Sequence, residues 1–456
     1  MRIAVVGLGK LGSPLAAMFA SKGHDVVGID SNPAVVDKIN SGKATVVEPG
    51  LQSLIDASGA RLSATTSYED GIISSDLSFV IVPTPSDHLG VFSNAHVLAA
   101  VRQIGSALRS TDKYHAVNIT STVMPGSTGG EIRQCLEASS GRKVGDNLGL
   151  TYNPEFIALG SVVHDLLNPD MVLIGESDKR AGDILESLYR DTFDSFAHLQ
   201  RMNWINAEIT KLAVNTYVTT KITYANMLSE LCERLSGADV DVVTQALGCD
   251  SRVGPKYLRG AIGYGGPCFP RDNVAFARLA NGLGVRSDLV EATQKLNIHQ
   301  VKRLNQLVAD ISLKKTKVAV LGLAYKPATP VIDESQGVML TSELVKAGHE
   351  VIVYDPLATE NTLAIFGNKV SAASSATEAV EKAGIVVITT ACEEFRSIPT
   401  SAFRRPGLER LLVIDCWRLL SREKLMPWAD VIYLGVSYEH AISTPATSCC
   451  VEITDR

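Results

Sequence analysis

Apolar residues recur at two different spacings along this chain, and the two alternate. Short β-rich runs, Arg2–Val6, Asp25–Ile29, Ser78–Val82, Ala116–Thr120, Gly149–Asn153 and Met171–Gly175, are separated by stretches with helical periodicity. That alternation, kept up over roughly the first 190 residues, predicts βαβ units and a parallel sheet. From Asn206 to Ser236 the pattern changes. Ile209, Leu212, Ala213, Thr216, Tyr217, Leu228, Leu231 and Cys232 fall at three- and four-residue steps with no Pro or Gly between, which predicts one long helix. Beyond about Lys314 the strand and helix alternation restarts, with strands expected at Lys317–Leu321, Glu350–Tyr354, Ile385–Thr390, Leu411–Asp415 and Val431–Leu434.

The two α/β stretches echo each other. Lys22 to Asp30 reads KGHDVVGID and Lys346 to Asp355 reads KAGHEVIVYD, each after a strand, a Gly turn and a helix. The expected fold class is therefore α/β: two Rossmann-like, doubly wound parallel-sheet domains joined by a central helical domain with a long helix. The expected spans are 1–195 for a dinucleotide-binding domain, 196–305 for the helical domain and 306–456 for the second sheet domain.

Composition narrows the function classes. With 456 residues, 45% of them hydrophobic and 20% charged, the chain has the make-up of an ordinary soluble protein of two or three domains. A net charge of −6 leaves no basic surface that would suggest nucleic acid or a membrane as the main partner. The eight cysteines lack CxxC spacing and scaffold density, which favours a reducing compartment and offers no metal site, and Cys449 and Cys450 lie in an expected tail. No leader precedes the first strand and no run approaches the ~18 apolar residues of a membrane span, so a cytoplasmic location is expected.

The first strand runs into Gly7-Leu8-Gly9-Lys10-Leu11-Gly12, a G-x-G-x-x-G turn. Gly7 allows the tight turn, Gly9 lets backbone approach a pyrophosphate, and Gly12 permits close helix packing. Asp30 closes the second strand, where a carboxylate that accepts from a ribose 2′-hydroxyl belongs; no Arg follows closely, so NAD is favoured over NADP. Gly7, Gly9, Leu11, Gly12 and Asp30 form the expected cofactor site, with Thr84 and Thr122 at later strand ends where hydroxyls reach cofactor or water.

One thiol stands apart from the other seven. Cys268 lies in the Gly- and Pro-rich loop Gly263-Tyr264-Gly265-Gly266-Pro267-Cys268, ahead of a helical run expected over Asn273–Leu279 and three residues before Arg271. A helix N-terminus and a cation both favour thiolate, so Cys268 is the candidate nucleophile.

With these segments in view the chain resembles, over nearly its whole length, the UDP-glucose/GDP-mannose 6-dehydrogenase family. The matching segments are the opening Gly motif, Glu48–Leu51, Val82–Pro85, Ser121–Val123, Asn153–Phe156, Ala207–Lys211 through Asn215, Gly265–Asp272 and Gly322–Pro327. The resemblance implies a four-electron oxidation of a sugar primary alcohol to the carboxylate with two NAD. Cys268 then traps the aldehyde as a thiohemiacetal, which is oxidised to a thioester and hydrolysed. It implies catalytic roles for Lys211, Asn215, Asp272 and Thr122, and an acid/base role for Glu155. It also implies substrate contacts from Glu155, Phe156, Lys211, Asn215, Arg252, Tyr257, Gly265, Tyr325 and Lys326. Gly260–Gly266 looks like the family's substrate loop, and Arg252 matches an arginine that reaches the neighbouring subunit's substrate, which implies a homodimer or higher assembly. UDP-glucose is the expected substrate, with GDP-mannose and UDP-N-acetylhexosamines as alternatives, and polysaccharide precursor supply is the expected role.

Three positions depart from the family pattern. Asp333 stands where an arginine is usual, Leu159 replaces a charged residue, and Met171 replaces an arginine. Two other functions fit parts of the pattern. A two-electron 3-hydroxyacid dehydrogenase of the 6-phosphogluconate type needs neither the thiol nor the second sheet domain, and a non-catalytic nucleotide-sugar sensor would not need the full set of reactive residues.

Overall fold

A computed structural model describes residues 1–193, 198–312, 316–405 and 410–437. Cys449, Cys450 and the expected 195/196 boundary lie outside the described residues. The chain forms two compact units, one of residues 1–216 with 271–287 and the other of residues 217–270 with 288–456.

The first unit is built on eight strands: β1 (Arg2–Val6), β2 (Asp25–Ile29), β3 (Leu62–Thr65), β4 (Leu77–Val80), β5 (His115–Ile119), β6 (Leu148–Tyr152), β7 (Met171–Glu176) and β8 (His198–Met202). Their order in the sheet is β3-β2-β1-β4-β5-β6-β7-β8. Along β1 the side chains alternate between two cores, Ile3 and Val5 on one face and Ala4 and Val6 on the other. Both faces are therefore covered, as a parallel sheet requires.

All neighbours run parallel except β6 and β7, which pair antiparallel through Thr151 with Glu176 and Tyr152 with Gly175. The uniform βαβ pattern did not foretell this reversal. The connection from Asn153 to Asp170 holds only one short helix, Val162–Leu167, and re-enters the sheet from the end at which β6 left it. The turn keeps Asn153–Phe156 at the carboxyl end of the sheet, the side on which open α/β sheets bind ligands.

Two strands of this sheet, β3 and β8, are the sheet's edges and were not among the expected runs. Leu62-Ser63-Ala64-Thr65 and His198-Leu199-Gln200-Arg201-Met202 are half-solvated, so they lack the continuous apolar signature of the buried strands.

The second unit carries a six-stranded all-parallel sheet in the order β11-β10-β9-β12-β13-β14. Its strands are β9 (Val318–Leu321), β10 (Val351–Tyr354), β11 (Ser371–Ala372), β12 (Ile385–Ile388), β13 (Leu411–Asp415) and β14 (Ala429–Tyr433). The alternation of β1 is repeated in β9, where Val318 and Val320 enter one core and Ala319 and Leu321 the other. The long helix spans Trp204–Arg234, 31 residues, and a second long helix, Asp288–Ile311, follows the cysteine loop and the helix Phe269–Gly282. The fold is thus two doubly wound α/β sheets with a helical region between them in the chain. No described helix is long and apolar enough to cross a membrane.

The internal echo is visible in backbone geometry. Gly7 and Gly322 both end the first strand of their sheet with positive φ, 92° and 100°. A Cβ on Gly12 would stand 1.8 Å from Gly7 O, and one on Gly337 would stand 2.1 Å from Gly322 O. Both turns therefore bring a helix onto the strand so closely that only glycine fits.

Candidate active site

In the dinucleotide turn the three glycines have different reasons to be there. Gly7 and Gly12 are required by the protein itself, since a Cβ on Gly7 would meet Ile81 O at 2.2 Å and one on Gly12 would meet Gly7 O. Around Gly9 nothing lies within 4 Å, so the space its missing side chain leaves belongs to no protein atom. A cleft of about 770 Å³ opens there, lined by Gly7, Gly9, Leu11, Gly12, Asp30 and Tyr68 among others. The helix Gly12–Ser21 begins at this turn, which places its N-terminus at the cleft.

Asp30 is shaped by the same turn. One carboxylate oxygen accepts the Leu8 N–H at 2.8 Å and the other the Asn32 N–H at 2.9 Å, which fixes the group at the cleft while leaving further lone pairs. Its counterpart in the second sheet, Asp355, is different. That carboxylate accepts four backbone N–H groups, from Leu323, Ala324, Leu357 and Ala358, and is buried. Asp355 is a turn staple, whereas Asp30 keeps acceptor capacity for a diol. Gly9 and Asp30 together fit the adenosine ribose and pyrophosphate of NAD.

Beyond this cleft, the first unit gathers most of the sequence-flagged polar residues into one connected set. Lys211, on the long helix, is buried and donates to the Glu155 carbonyl at 2.5 Å, with its ammonium 4.8 Å from the Phe156 ring centre. Asn215, one turn further on the same face, donates to Asp272 Oδ2 at 2.6 Å. The other carboxylate oxygen of Asp272 is buried with no hydrogen-bond partner, and Arg271 Nε stands 3.6 Å from it. Arg271 itself donates to the Thr84 carbonyl at 3.0 Å and covers the Phe92 ring at 4.4 Å. The Thr84 hydroxyl donates to the Thr122 carbonyl at 2.7 Å, which ties it to the loop that carries Thr122 and leaves its lone pairs to accept.

Burial pushes the Glu155 carboxyl up to about 7, against the opposing pull of the Lys211 cation and the Tyr189 hydroxyl. The Tyr189 hydroxyl reaches both this carboxyl and Asn153 Oδ1, and Asn153 Nδ2 is tied to the Leu173 carbonyl at 2.9 Å. A glutamate balanced near neutrality can both donate and accept a proton under working conditions.

Several of these supports were not singled out by sequence reasoning. Glu208, fully buried three residues before Lys211, accepts the Gly126 and Thr128 N–H groups at 2.6 and 2.8 Å and so ties the helix to the loop after Thr122. Its position inside the Ala207–Lys211 segment was the available signal. Glu48 accepts the Gly160 and Val162 N–H groups at 2.9 and 2.8 Å, which explains the Glu48–Leu51 segment as an anchor for the loop after Phe156. Leu159 in that loop packs against the apolar core rather than presenting a charge.

In the second unit, Cys268 is solvent-exposed and immediately precedes the helix, which starts at Phe269 and not at Asn273. No disulfide joins any of the six described cysteines. Gly265 and Gly266 are wedged in place: a Cβ on the first would stand 2.2 Å from Glu334 O and one on the second 2.7 Å from the Tyr325 ring. The Gly266 N–H donates to the Asp333 carbonyl at 2.9 Å. Asp333 therefore serves this loop through its backbone, and its exposed side chain takes no part in that bond. Tyr325 and Lys326 are half-buried at the start of the same segment. Arg252 is exposed and forks onto Asp250, with Nη2 to Oδ2 at 2.6 Å, and Tyr257 is exposed with φ of 64°.

Comparison with known proteins matches this arrangement in all three parts of the chain. Models of the UDP-glucose/GDP-mannose dehydrogenase family match residues 1–193 (NAD binding domain), 205–299 (central domain) and 319–422 (UDP binding domain). The UDP-glucose 6-dehydrogenase of Haloferax volcanii is 34% identical over 95% of this chain and 100% of its own length. The GDP-mannose 6-dehydrogenase of Pseudomonas putida is 34% identical over 78% of this chain and 81% of its own. A solved UDP-glucose dehydrogenase from Pyrobaculum islandicum superposes with a TM-score of 0.86 at 31% identity, covering 95% of this chain and 96% of that one. The chain belongs to the UDP-glucose/GDP-mannose dehydrogenase family and is an NAD-dependent nucleotide-sugar 6-dehydrogenase.

Proposed function

We propose that the protein oxidises the C6 alcohol of UDP-glucose to the carboxylate, with Cys268 as covalent nucleophile. The observation that carries this reading is that the helix Phe269–Gly282 follows an exposed thiol and carries in its first turn Asp272, a buried carboxylate with one oxygen held by Asn215 and the other without a hydrogen-bond partner. NAD supplies the hydride acceptor twice.

The proposed roles follow from each residue's surroundings. Asp272, through the oxygen that makes no hydrogen bond, accepts the alcohol proton by way of a water held with Asn215 and Thr122. The Lys211 ammonium stabilises the alkoxide and the later oxyanions, which a buried cation does far better than a solvated one. The Cys268 thiolate adds to the aldehyde carbon, and loss of a second hydride from the thiohemiacetal leaves a thioester. Glu155, balanced near neutral pH, takes a proton from the attacking water and returns one to the departing thiol. Per sugar, one alcohol and one water become one carboxylate, two hydrides pass to two NAD and three protons are released.

Gly265, Phe156, Tyr325 and Lys326 are the proposed substrate contacts, with the lysine offsetting pyrophosphate charge. The proposed organisation is three domains, 1–195, 196–305 and 306–456. A homodimer is proposed through the long helix, where Tyr217, Tyr224 and Leu231 recur at seven-residue steps and stay exposed with Met227. Arg252 and Tyr257, both exposed, then serve the partner's substrate. A cytoplasmic setting and a role in polysaccharide precursor supply complete the proposal.

The test is NADH formation against UDP-glucose, UDP-galactose, UDP-N-acetylhexosamines and GDP-mannose, with NADH counted per sugar consumed. Two NADH per UDP-glucose is the expected result. Two per GDP-mannose would transfer the reading to that substrate, one per sugar would replace it with a two-electron dehydrogenase, and none on the whole panel would favour a sensor.

A further inference from the structure

The loop that ends at Cys268 has no helix or strand of its own from Leu258 to Cys268, so its backbone groups must be satisfied from elsewhere. Two asparagines supply what a neighbouring strand would. Asn226, 1% exposed on the long helix, accepts the Ala261 N–H at 2.9 Å and donates to the Ile262 carbonyl at 2.8 Å. Asn297, 5% exposed on the helix Asp288–Ile311, accepts the Tyr264 N–H at 2.7 Å and donates to the Tyr264 carbonyl at 3.0 Å. A third amide joins them: Gln336 Nε2 donates to the same Tyr264 carbonyl at 3.2 Å.

Gly263 shows how tightly the amides close. A Cβ there would stand 2.5 Å from both Asn297 Oδ1 and Gln336 Oε1. Next along the chain come the two wedged glycines, with Glu334 beside them in a left-handed conformation at φ 50°, which a glutamate holds only when its surroundings impose it. Only Pro267, whose ring fixes φ, separates the last of these contacts from the thiol. Little slack is left to absorb a shift of the Tyr264 peptide before it reaches Cys268.

We propose that Asn297 and Gln336 are positioning residues for Cys268: their amides grip the Tyr264 peptide and thereby set where the thiol stands. The inference rests on the reading of Cys268 as the nucleophile. It also gives the second sheet domain a part in thiol placement. Gln336 opens the helix Gln336–Lys346 beside the Gly322 turn, and the segment Tyr325–Gln336 that grips the cysteine loop also carries the proposed substrate contacts Tyr325 and Lys326.

Asn297→Ala and Gln336→Ala, made in the full chain, test this. A thiol displaced by an ångström loses its attack geometry, so kcat is expected to fall about 10- to 100-fold in Asn297→Ala and less in Gln336→Ala. The KM for NAD and the melting temperature are expected to stay near wild type. A kcat within about threefold of wild type in both variants would overturn the proposal, being far below the effect of a misplaced nucleophile. So would a parallel loss of kcat, NAD affinity and melting temperature, the pattern of a merely structural residue. Should Asn297→Ala fail to fold, Gln336→Ala, which removes one of the two amide donors to the Tyr264 carbonyl, decides. Cys268→Ala separates the two layers: if it still forms NADH at the wild-type rate, the nucleophile reading itself is wrong. If it is inactive while both amide variants are normal, only the positioning role is wrong.

Discussion

Replacing Glu155 by glutamine should change how stability depends on pH. The carboxyl rises from an ordinary 4.5 to about 7 because burial disfavours its charged form. Between those two values the unfolded chain has released the proton and the folded chain has not. Stability therefore falls as pH rises through that window, is lowest above about 7, and is unaffected by this group below about 4.5. The full gap corresponds to ~3 kcal/mol, and somewhat less where water reaches the group. Glutamine keeps the shape and cannot ionise. Urea unfolding of both proteins from pH 4.5 to 8.5 should show Glu155→Gln gaining on wild type as pH rises, by about 2–3 kcal/mol, and levelling off above pH 7. A difference that stays flat across the range would mean that Glu155 titrates alike in the folded and unfolded chain, and that burial does not lift its carboxyl.

Three further outcomes are expected. His115 is 1% exposed and hydrogen-bonded to Ser78 Oγ at 2.6 Å, and burial lowers it from 6.5 to about 4. Its stabilising share is complete above pH 6.5 and is lost as pH falls toward 4, by ~3 kcal/mol, and ¹⁵N-histidine NMR should find this ring neutral at pH 5.5. Gly12→Ala would force a Cβ to within 1.8 Å of Gly7 O, so the helix must move off the strand, and NAD binding measured by calorimetry should weaken at least tenfold. Asp30→Ala removes the proposed acceptor for the ribose diol together with the Leu8 and Asn32 contacts, so the KM for NAD should rise about 10- to 100-fold while discrimination against NADP drops.

Legibility in the sequence followed burial. The strands covered on both faces, such as β9 and β12, announce themselves as apolar runs because every side chain enters a core. The polar edge strands β3 and β8, and the two-residue β11, carry no such pattern. Among candidate site residues, those inside compact motifs could be picked out individually: Gly7, Gly9, Gly12, Asp30 and Cys268. Lys211, Asn215, Asp272 and Glu155 were named through resemblance to a family, since a lysine or glutamate on its own is most often a solvated surface charge.

Local geometry was readable from the order of residues alone: two strand–glycine–helix turns, a long uninterrupted helix, and a thiol in a glycine loop. Those follow from hydrophobic period and from backbone freedom at particular residues, which act over a few positions of chain. It took the folded arrangement to reveal that Asp30 keeps acceptor capacity while its repeat Asp355 is consumed by four backbone N–H groups. It alone showed that Glu155 is lifted toward neutrality, and that amides from Asn297 and Gln336 grip the loop before Cys268. Charge balance and backbone satisfaction depend on which groups meet across distant parts of the chain, and hydrophobic period carries no record of those meetings.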